Sequence, residues 1–169
     1  MFKAKTQPKE RFENWVLQHQ SMVFSIALRI LNDPATAEDI AQEVFMKLYA
    51  SPDVASDEHA ISWLRRATVH RSIDHLRRQR SHPGEDLPQE PACFDTQPDP
   101  VFASVRGRLL SRLSPSARAV VTLRYQEDLD PADIADILTM PLATVKSHLK
   151  RSLEFFRLNL QPTSVEPKR

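Results

Sequence analysis

Arginine is concentrated in one stretch of the chain, residues 61–80, which holds six arginines and a single acid, Asp74. Guanidinium groups bind nucleic-acid phosphates, and so dense a cluster in a chain of net charge +1 favours a DNA-facing surface. Trp63 and His70 lie in the same stretch. The alternative is a solvated face on which arginine stems cover apolar neighbours.

The apolar residues of this stretch follow two helical stripes, Ile61, Leu64 and Thr68 on one and Val69, Ile73 and Leu76 on the other. The second stripe is rotated by about 100° from the first at 3.6 residues per turn. One straight helix cannot bury both stripes equally well. The pattern therefore predicts two short helices, or one broken helix, with the break between residues 68 and 72 and with His70 inside it.

A second candidate DNA-binding surface lies near the other end of the chain. Asp130 and Pro131 are predicted to start a short helix, and residues 139–141 to turn the chain into a last helix that reaches about Leu158, as in a helix-turn-helix. Recognition helices present polar side chains near their N-terminal end to base edges. The predicted base contacts are Thr144, Ser147, His148 and Arg151, and the predicted phosphate contacts are Lys146, Lys150 and Arg157.

The remaining periodicity is helical too. Thirteen prolines against two glycines fit helices with proline-marked starts. Residues 81–100 contain five acids, five prolines and no basic residue, which predicts an extended linker. The predicted fold is all-α, with a helical domain at 9–80, a linker at 81–100 and a helix-turn-helix domain at 101–160. Within the first domain, helices are predicted from about Lys9 or Glu10 to Leu31 and from Pro34, capped by Asp33, to Tyr49.

The composition argues against several other classes of protein. The single cysteine, Cys93, and the scattered histidines show no metal-ligand spacing, so no metal and no cofactor are predicted. Two glycines leave little room for a phosphate loop or a nucleophile elbow, so no catalysis is expected. The chain lacks a run of 18 apolar residues and a signal-peptide core, which favours a cytoplasmic protein.

The second predicted helix carries a polar face opposite its apolar one, formed by Glu38, Asp39, Gln42 and Glu43. Acids in the first turns stabilise a helix through its dipole, and that is the first interpretation. The second interpretation is an acidic docking face for a basic partner.

The chain resembles the extracytoplasmic-function group of bacterial sigma-70 factors over about residues 9–160. DPATAEDIAQEVFMKLY resembles the helix with which that family grips the clamp helices of the polymerase β′ subunit. SWLRRATVHRSIDHLRRQR is similar to the segment that melts and reads the promoter −10 element. The stretch from LSPSARAVV to TVKSHL resembles the domain that binds the −35 element.

The resemblance implies a promoter-specificity subunit that binds core RNA polymerase, at the β′ clamp helices and the β flap, and promoter DNA. It also implies an anti-sigma factor as a partner, which could hold the protein near the membrane of a bacterium. Under it the docking interpretation of Glu38, Asp39, Gln42 and Glu43 outranks the first one. The implied −10 contacts are Trp63, Arg65, Arg66, His70, Arg71, Arg77, Arg78 and Arg80, and the implied −35 contacts are the seven residues of the last helix named above.

Three positions depart from the family pattern. His70 ends an Ala-Thr-Val-His segment where many relatives have Ile-Ala-x-Asn, which puts an imidazole near the flipped −10 base. His148 stands where relatives often have arginine, which weakens the case for guanine reading there. Thr139 replaces a frequent turn glycine and predicts a strained turn.

Two alternatives to a sigma factor stay open at this stage. A helix-turn-helix regulator of the response-regulator or quorum-sensing type also carries segments like TVKSHL. That alternative predicts alternating strands and helices upstream, whereas residues 9–80 show only helical periodicity. The second alternative is a helical adaptor protein that does not bind DNA. In such a protein the arginines would simply form a solvated face.

Overall fold

The computed structural model describes residues 8–51, 53–81 and 100–160, with the backbone alone for residues 80, 81 and 100–104. These residues form seven helices and no strand, as predicted for an all-α fold. The helices are α1 Lys9–Leu31, α2 Pro34–Tyr49, α3 Asp57–Ser81, α4 Pro100–Ser111, α5 Pro115–Tyr125, α6 Pro131–Leu138 and α7 Leu142–Asn159. The predicted linker lies outside the described residues except at its two ends.

The junction between α1 and α2 shows why the first two helices begin and end where the sequence predicts. Asn32 takes a left-handed conformation with φ of 57°, which asparagine tolerates, and this ends α1. The Asp33 carboxylate accepts a hydrogen bond from the Thr36 backbone N–H at 3.0 Å, and Pro34 occupies the first helical position. The predicted bounds of α1 and α2 are confirmed.

Helix α3 is continuous over 25 residues, so the prediction of a break between residues 68 and 72 was wrong. Thr68 and Ser72 are both fully buried, yet neither interrupts the helix. Their hydroxyls donate back to the carbonyls of Leu64, at 2.7 Å, and of Thr68, at 2.8 Å, one turn earlier. The buried polar groups are therefore satisfied inside the helix, and His70 lies on a regular turn.

The two apolar stripes of α3 are buried against two different cores. The first core lies among α1, α2 and α3 and contains, among others, Trp15, Val23, Val44, Leu48 and Leu64. The second, the interlobe core, joins α1 and α3 to the later helices through Ile26, Ile30, Val69, Ile73, Ala119, Val120, Leu123, Ile134, Ile137, Leu138 and Val145. The rotation between the stripes thus reflects two packing partners on two sides of one helix.

A buried arginine reinforces the contact between the first and the second group of helices. Arg118 of α5 is only 4% exposed. Its guanidinium donates to the carbonyl of Ile30, in the last turn of α1, and to that of Ser111, the last residue of α4, at 2.8 Å. A cation at two helix C-termini satisfies carbonyls that have no partner within their own helices.

The turn between α6 and α7 has the strain that the sequence predicts. Thr139 takes φ of 52° and ψ of 48°, the left-handed region that disfavours a β-branched residue by about 1–2 kcal/mol. The Met140 N–H donates to the Ala135 carbonyl at 3.0 Å, which closes the turn and directs the chain into α7. The predicted helix-turn-helix is confirmed.

Candidate nucleic-acid and protein interfaces

The polar face of α2 is only partly free. Glu38, Asp39 and Gln42 are exposed, whereas Glu43 is half-buried. Its carboxylate lies 3.1 Å from the Lys47 ammonium and also accepts from the Arg71 guanidinium of α3. Burial alone would raise the pKa of Glu43, but the hydrogen bonds from Lys47 and Arg71 lower it. Glu43 therefore joins α2 to α3, and three of the four predicted docking residues remain available.

An apolar groove of about 940 Å³ runs between α1 and α2 beside this polar face. Its lining includes Phe12, Phe24, Phe45 and Met46 together with Glu38 and Gln42. Met46 is 73% exposed, which is unusual for a long apolar side chain. Sequence reasoning missed this groove, although Met46 lies off the buried stripe of α2 and could have signalled it.

Three of the predicted −10 residues on α3 contact the later helices. The Arg65 Nε donates to the Glu127 carboxylate at 2.9 Å, and that carboxylate side chain is only 8% exposed. Arg66 donates to the Asp136 carbonyl at 2.9 Å. The His70 Nε2 lies 2.8 Å from the Ile137 carbonyl, a contact that requires the ring proton on Nε2. These groups are engaged within the protein.

The other predicted −10 residues do not share that surface. Trp63 is half-buried and packs against the first core, and Arg71 pairs with Glu43. Arg77 and Arg78 are exposed near the end of α3, and the Arg80 side chain lies outside the described residues. The structure thus divides the predicted set between an intramolecular interface, a contact with α2 and an exposed end of the helix.

The predicted −35 residues, in contrast, share one solvent-facing side of α7. Thr144, Lys146, Ser147, Lys150, Arg151 and Arg157 are exposed, and His148 is half-buried. Val145 and Ser152 are buried on the opposite side. Burial, followed by the charge of Arg151, lowers the pKa of His148, so this imidazole is neutral at neutral pH. A neutral ring between basic side chains can both donate and accept hydrogen bonds.

A second apolar groove, of about 540 Å³, is lined by residues from α1, α4, α5 and α7, with Tyr125 and Leu153 partly exposed in it. Tyr125 is 58% exposed. Arg29 and Arg106 also line this groove. Burial, and then the neighbouring charge of Arg106, lowers the pKa of Arg29.

Among the described residues, no helix has the length and apolar content needed to span a bilayer. The same residues contain no group of three or more histidine, cysteine or carboxylate side chains placed to hold a metal ion.

Comparison with known proteins matches both halves of the chain to the same family. Residues 15–82 match sigma-70 region 2, and residues 107–156 match sigma-70 region 4. The chain is 32% identical to the ECF RNA polymerase sigma factor SigL of Mycobacterium tuberculosis, over 88% of each chain. It belongs to the extracytoplasmic-function sigma factors. The region 2 match excludes the alternative of a response-regulator-type helix-turn-helix protein.

Other relatives agree with this assignment. The RNA polymerase sigma-H factor of Pseudomonas aeruginosa is 30% identical over 91% of this chain and 88% of its own. Among solved structures, the sigma factor RpoE of Bartonella quintana, crystallised with the anti-sigma factor NepR, has the same fold, with a TM-score of 0.74 at 20% identity over 90% of this chain and 99% of its own. The sigma factor SigJ of M. tuberculosis superposes with a TM-score of 0.59 at 25% identity, covering 88% of this chain and 52% of its own.

Proposed function

We propose that this sigma factor binds core RNA polymerase through α2 and directs it to promoters that carry a −10 and a −35 element. It would act by binding alone, without catalysis of its own. The observation that carries the proposal is the match of both halves to sigma-70 regions, with an exposed polar row on the helix-turn-helix of the second half.

The docking surface we propose comprises Glu38, Asp39 and Gln42 together with the groove between α1 and α2. Glu38 and Asp39 are exposed, and neither forms an ion pair with another described residue. Two free carboxylates suit a basic partner, and the exposed Met46 offers apolar contact beside them. The clamp helices of β′ are the partner we assign to this surface.

On the second half, α7 would enter the major groove of the −35 element. Thr144, Ser147, His148 and Arg151 would contact bases, while Lys146, Lys150 and Arg157 would contact phosphates. On α3, Arg77 and Arg78 are exposed and would contact the −10 strand. Arg65, Arg66 and His70 must first leave their present partners.

For regulation and location, we propose an anti-sigma factor as a partner and the bacterial cytoplasm as the site of action. The first rests on the likeness to RpoE of B. quintana, whose structure contains the anti-sigma factor NepR. The cytoplasmic location is proposed because a sigma factor acts together with RNA polymerase, which is in the cytoplasm.

Reconstitution with core RNA polymerase tests the function as a whole. The full chain should associate with core enzyme and, in run-off transcription on fragmented genomic DNA, select a defined set of start sites. The start sites would then reveal the promoter sequence. No selected transcripts despite stable association with core enzyme would contradict the proposal.

Charge reversal tests the docking surface. The double variant Glu38→Lys, Asp39→Lys should weaken binding to core polymerase at least tenfold, because two attractive contacts become repulsive. Asp53→Lys, at an exposed position of the turn after α2, is the matched control and should bind normally. Equal affinity of the double variant and the control would contradict the assignment. Glu43 is unsuitable for this test because its reversal would break the contact with Arg71.

Truncation of one α7 side chain tests −35 recognition. Arg151→Ala should lower transcription from a selected −35-dependent promoter about 5- to 150-fold, since one good base contact discriminates by about 1–3 kcal/mol. Transcription from a pre-melted template is the control and should change far less. An equal loss on both templates would show a folding defect instead of a lost base contact.

A further inference from the structure

The groups that contact Arg65, Arg66 and His70 of α3 from the later part of the chain are all hydrogen-bond-accepting oxygens. Arg65 faces the carboxylate of Glu127, while Arg66 and His70 face the carbonyls of Asp136 and Ile137. A DNA backbone would present the same type of group to these side chains, namely anionic or partly negative oxygens. The intramolecular contacts thus satisfy the donors that the proposed −10 surface would use.

The carbonyl acceptors are also placed where a helix is most negative. Asp136 and Ile137 lie in the last turn of α6, which ends at Leu138. The last carbonyls of a helix carry the negative end of its dipole, so they attract a guanidinium more strongly than isolated carbonyls would. Together with the nearly buried Glu127 carboxylate, they form an acceptor row along α3.

We propose that residues 127–137 act as an internal mimic of the −10 strand, which holds the free sigma factor closed and keeps Arg65, Arg66 and His70 of α3 from DNA. The inference rests on the proposed function, because it concerns the same α3 surface. In the closed form Arg65, Arg66 and His70 are occupied by protein oxygens. DNA contacts by these three side chains and closure of the two halves are therefore mutually exclusive.

The remaining contacts between the two halves also favour the closed form. The Gln126 amide donates to the Ser25 hydroxyl at 2.8 Å and to the Glu127 carboxylate at 3.3 Å, so it connects α1 to the residue that holds Arg65. The interlobe core packs directly beside this network through Val69 and Ile73 of α3. Closure is thus supported by apolar burial and directed by the acceptor row.

Promoter geometry requires the closed form to open. Two elements about 25 base pairs apart are separated by about 85 Å at 3.4 Å per base pair. A compact chain of this length has a radius of gyration of about 15 Å, so α3 and α7 cannot reach both elements while packed together. The apparent DNA affinity of the free protein is therefore reduced by the fraction of molecules that are open.

The variant Glu127→Gln, in the full chain, tests the mimic. It keeps the shape of the side chain but removes the charge that holds Arg65. Asp128→Asn is the matched control, because it removes an equal charge one residue away, at an exposed position that forms no ion pair with another described residue. Asp128 has φ of 51°, a conformation that asparagine accepts equally well.

Two readouts are needed. The first is affinity for a fluorescent single-stranded DNA of about 20 nucleotides and mixed sequence, at low salt, where arginine–phosphate contacts dominate. The second is energy transfer between dyes at Gln18→Cys and Glu154→Cys in a Cys93→Ser background, with and without saturating DNA. Both labelled positions are exposed, one on α1 and one on α7.

We expect Glu127→Gln to bind the single strand about tenfold more tightly than Asp128→Asn, as one charge-assisted hydrogen bond favours closure by about that factor. Saturating DNA should separate the dyes in the wild-type chain. Equal tightening by both variants would show a general charge effect and overturn the proposal, as would DNA binding without separation of the dyes. Either result would leave the proposed function standing if the wild-type chain still directs run-off transcription.

Discussion

Replacing Arg118 with methionine would test how strongly the two halves of the molecule depend on one buried cation. Methionine keeps most of the apolar stem but removes the guanidinium, which donates to the carbonyls of Ile30 and Ser111. A third contact, to the Leu113 carbonyl at 3.4 Å, is too long to contribute much. The variant would leave carbonyls at the ends of α1 and α4 without their cationic donor.

The magnitude follows from these contacts. A hydrogen bond to a charged group contributes about 1.5–3 kcal/mol, so two of them imply a loss of about 3–5 kcal/mol in the free energy of unfolding after retained packing is considered. That is a large share of the 5–15 kcal/mol typical of a domain. Urea denaturation followed by circular dichroism measures it. Tryptophan fluorescence, from Trp15 and Trp63 in the first half, shows whether that half still unfolds together with the rest.

Arg124→Met supplies the comparison. Arg124 lies on the same helix, its side chain is 34% exposed, and its hydrogen bonds stay within the second half, at the Leu129 carbonyl and at Asp130. Its loss should cost about 1 kcal/mol or less. If Arg118→Met were no more destabilising than Arg124→Met, the assignment of Arg118 as the link between the helix ends would be refuted.

Two further predictions concern the α6–α7 turn and His19, a half-buried residue of α1. Thr139→Asn should raise the free energy of unfolding by about 1 kcal/mol, because asparagine tolerates the left-handed conformation better than a β-branched residue; a lower melting temperature would contradict the strain. Burial, opposed by Asp57 and assisted by Arg65, lowers the pKa of His19, whose Nε2 is buried without a hydrogen-bond partner in the described part of the chain. The unfolded state then binds more protons below pH about 6.5, so stability is full above that pH and falls as the pH drops. His19→Gln should flatten this dependence in denaturation curves between pH 5 and 7, and an unchanged slope would exclude His19 as its source.

The parts of the fold that could be predicted from sequence are those with local causes. Asp33 and Pro34 fix the start of α2 by capping and by backbone geometry alone, and both act within one turn. The exposed row on α7 was predictable for a similar reason, since Val145 and Ser152 define the buried side of an isolated amphipathic helix. Family resemblance then implied a DNA-contacting role for the exposed face.

The features that the sequence did not predict correctly depend on contacts between segments far apart in the chain. The stripes of α3 indicated a broken helix because periodicity cannot tell a bend from a second packing partner on another side. Val69 and Ile73 are buried against helices some fifty or more residues further along the chain, and no pattern within α3 indicates this packing. The structural role of Arg118 was not predicted for the same reason. Its partners are carbonyls at the ends of α1 and α4, and the sequence of α5 alone does not indicate that these helix ends lie next to it.

The interlobe core also affects the solubility of the protein and of its separate halves. Any open form exposes Ile26, Ile30, Val69 and Ile73 on one half, and a matching set of apolar side chains on the other. Such patches promote self-association when nothing covers them. A partner that binds the open form must therefore cover these apolar patches if the protein is to stay in solution. Preparations of either half alone should be more prone to aggregate than the whole chain, so the closed arrangement also serves as protection during synthesis and storage.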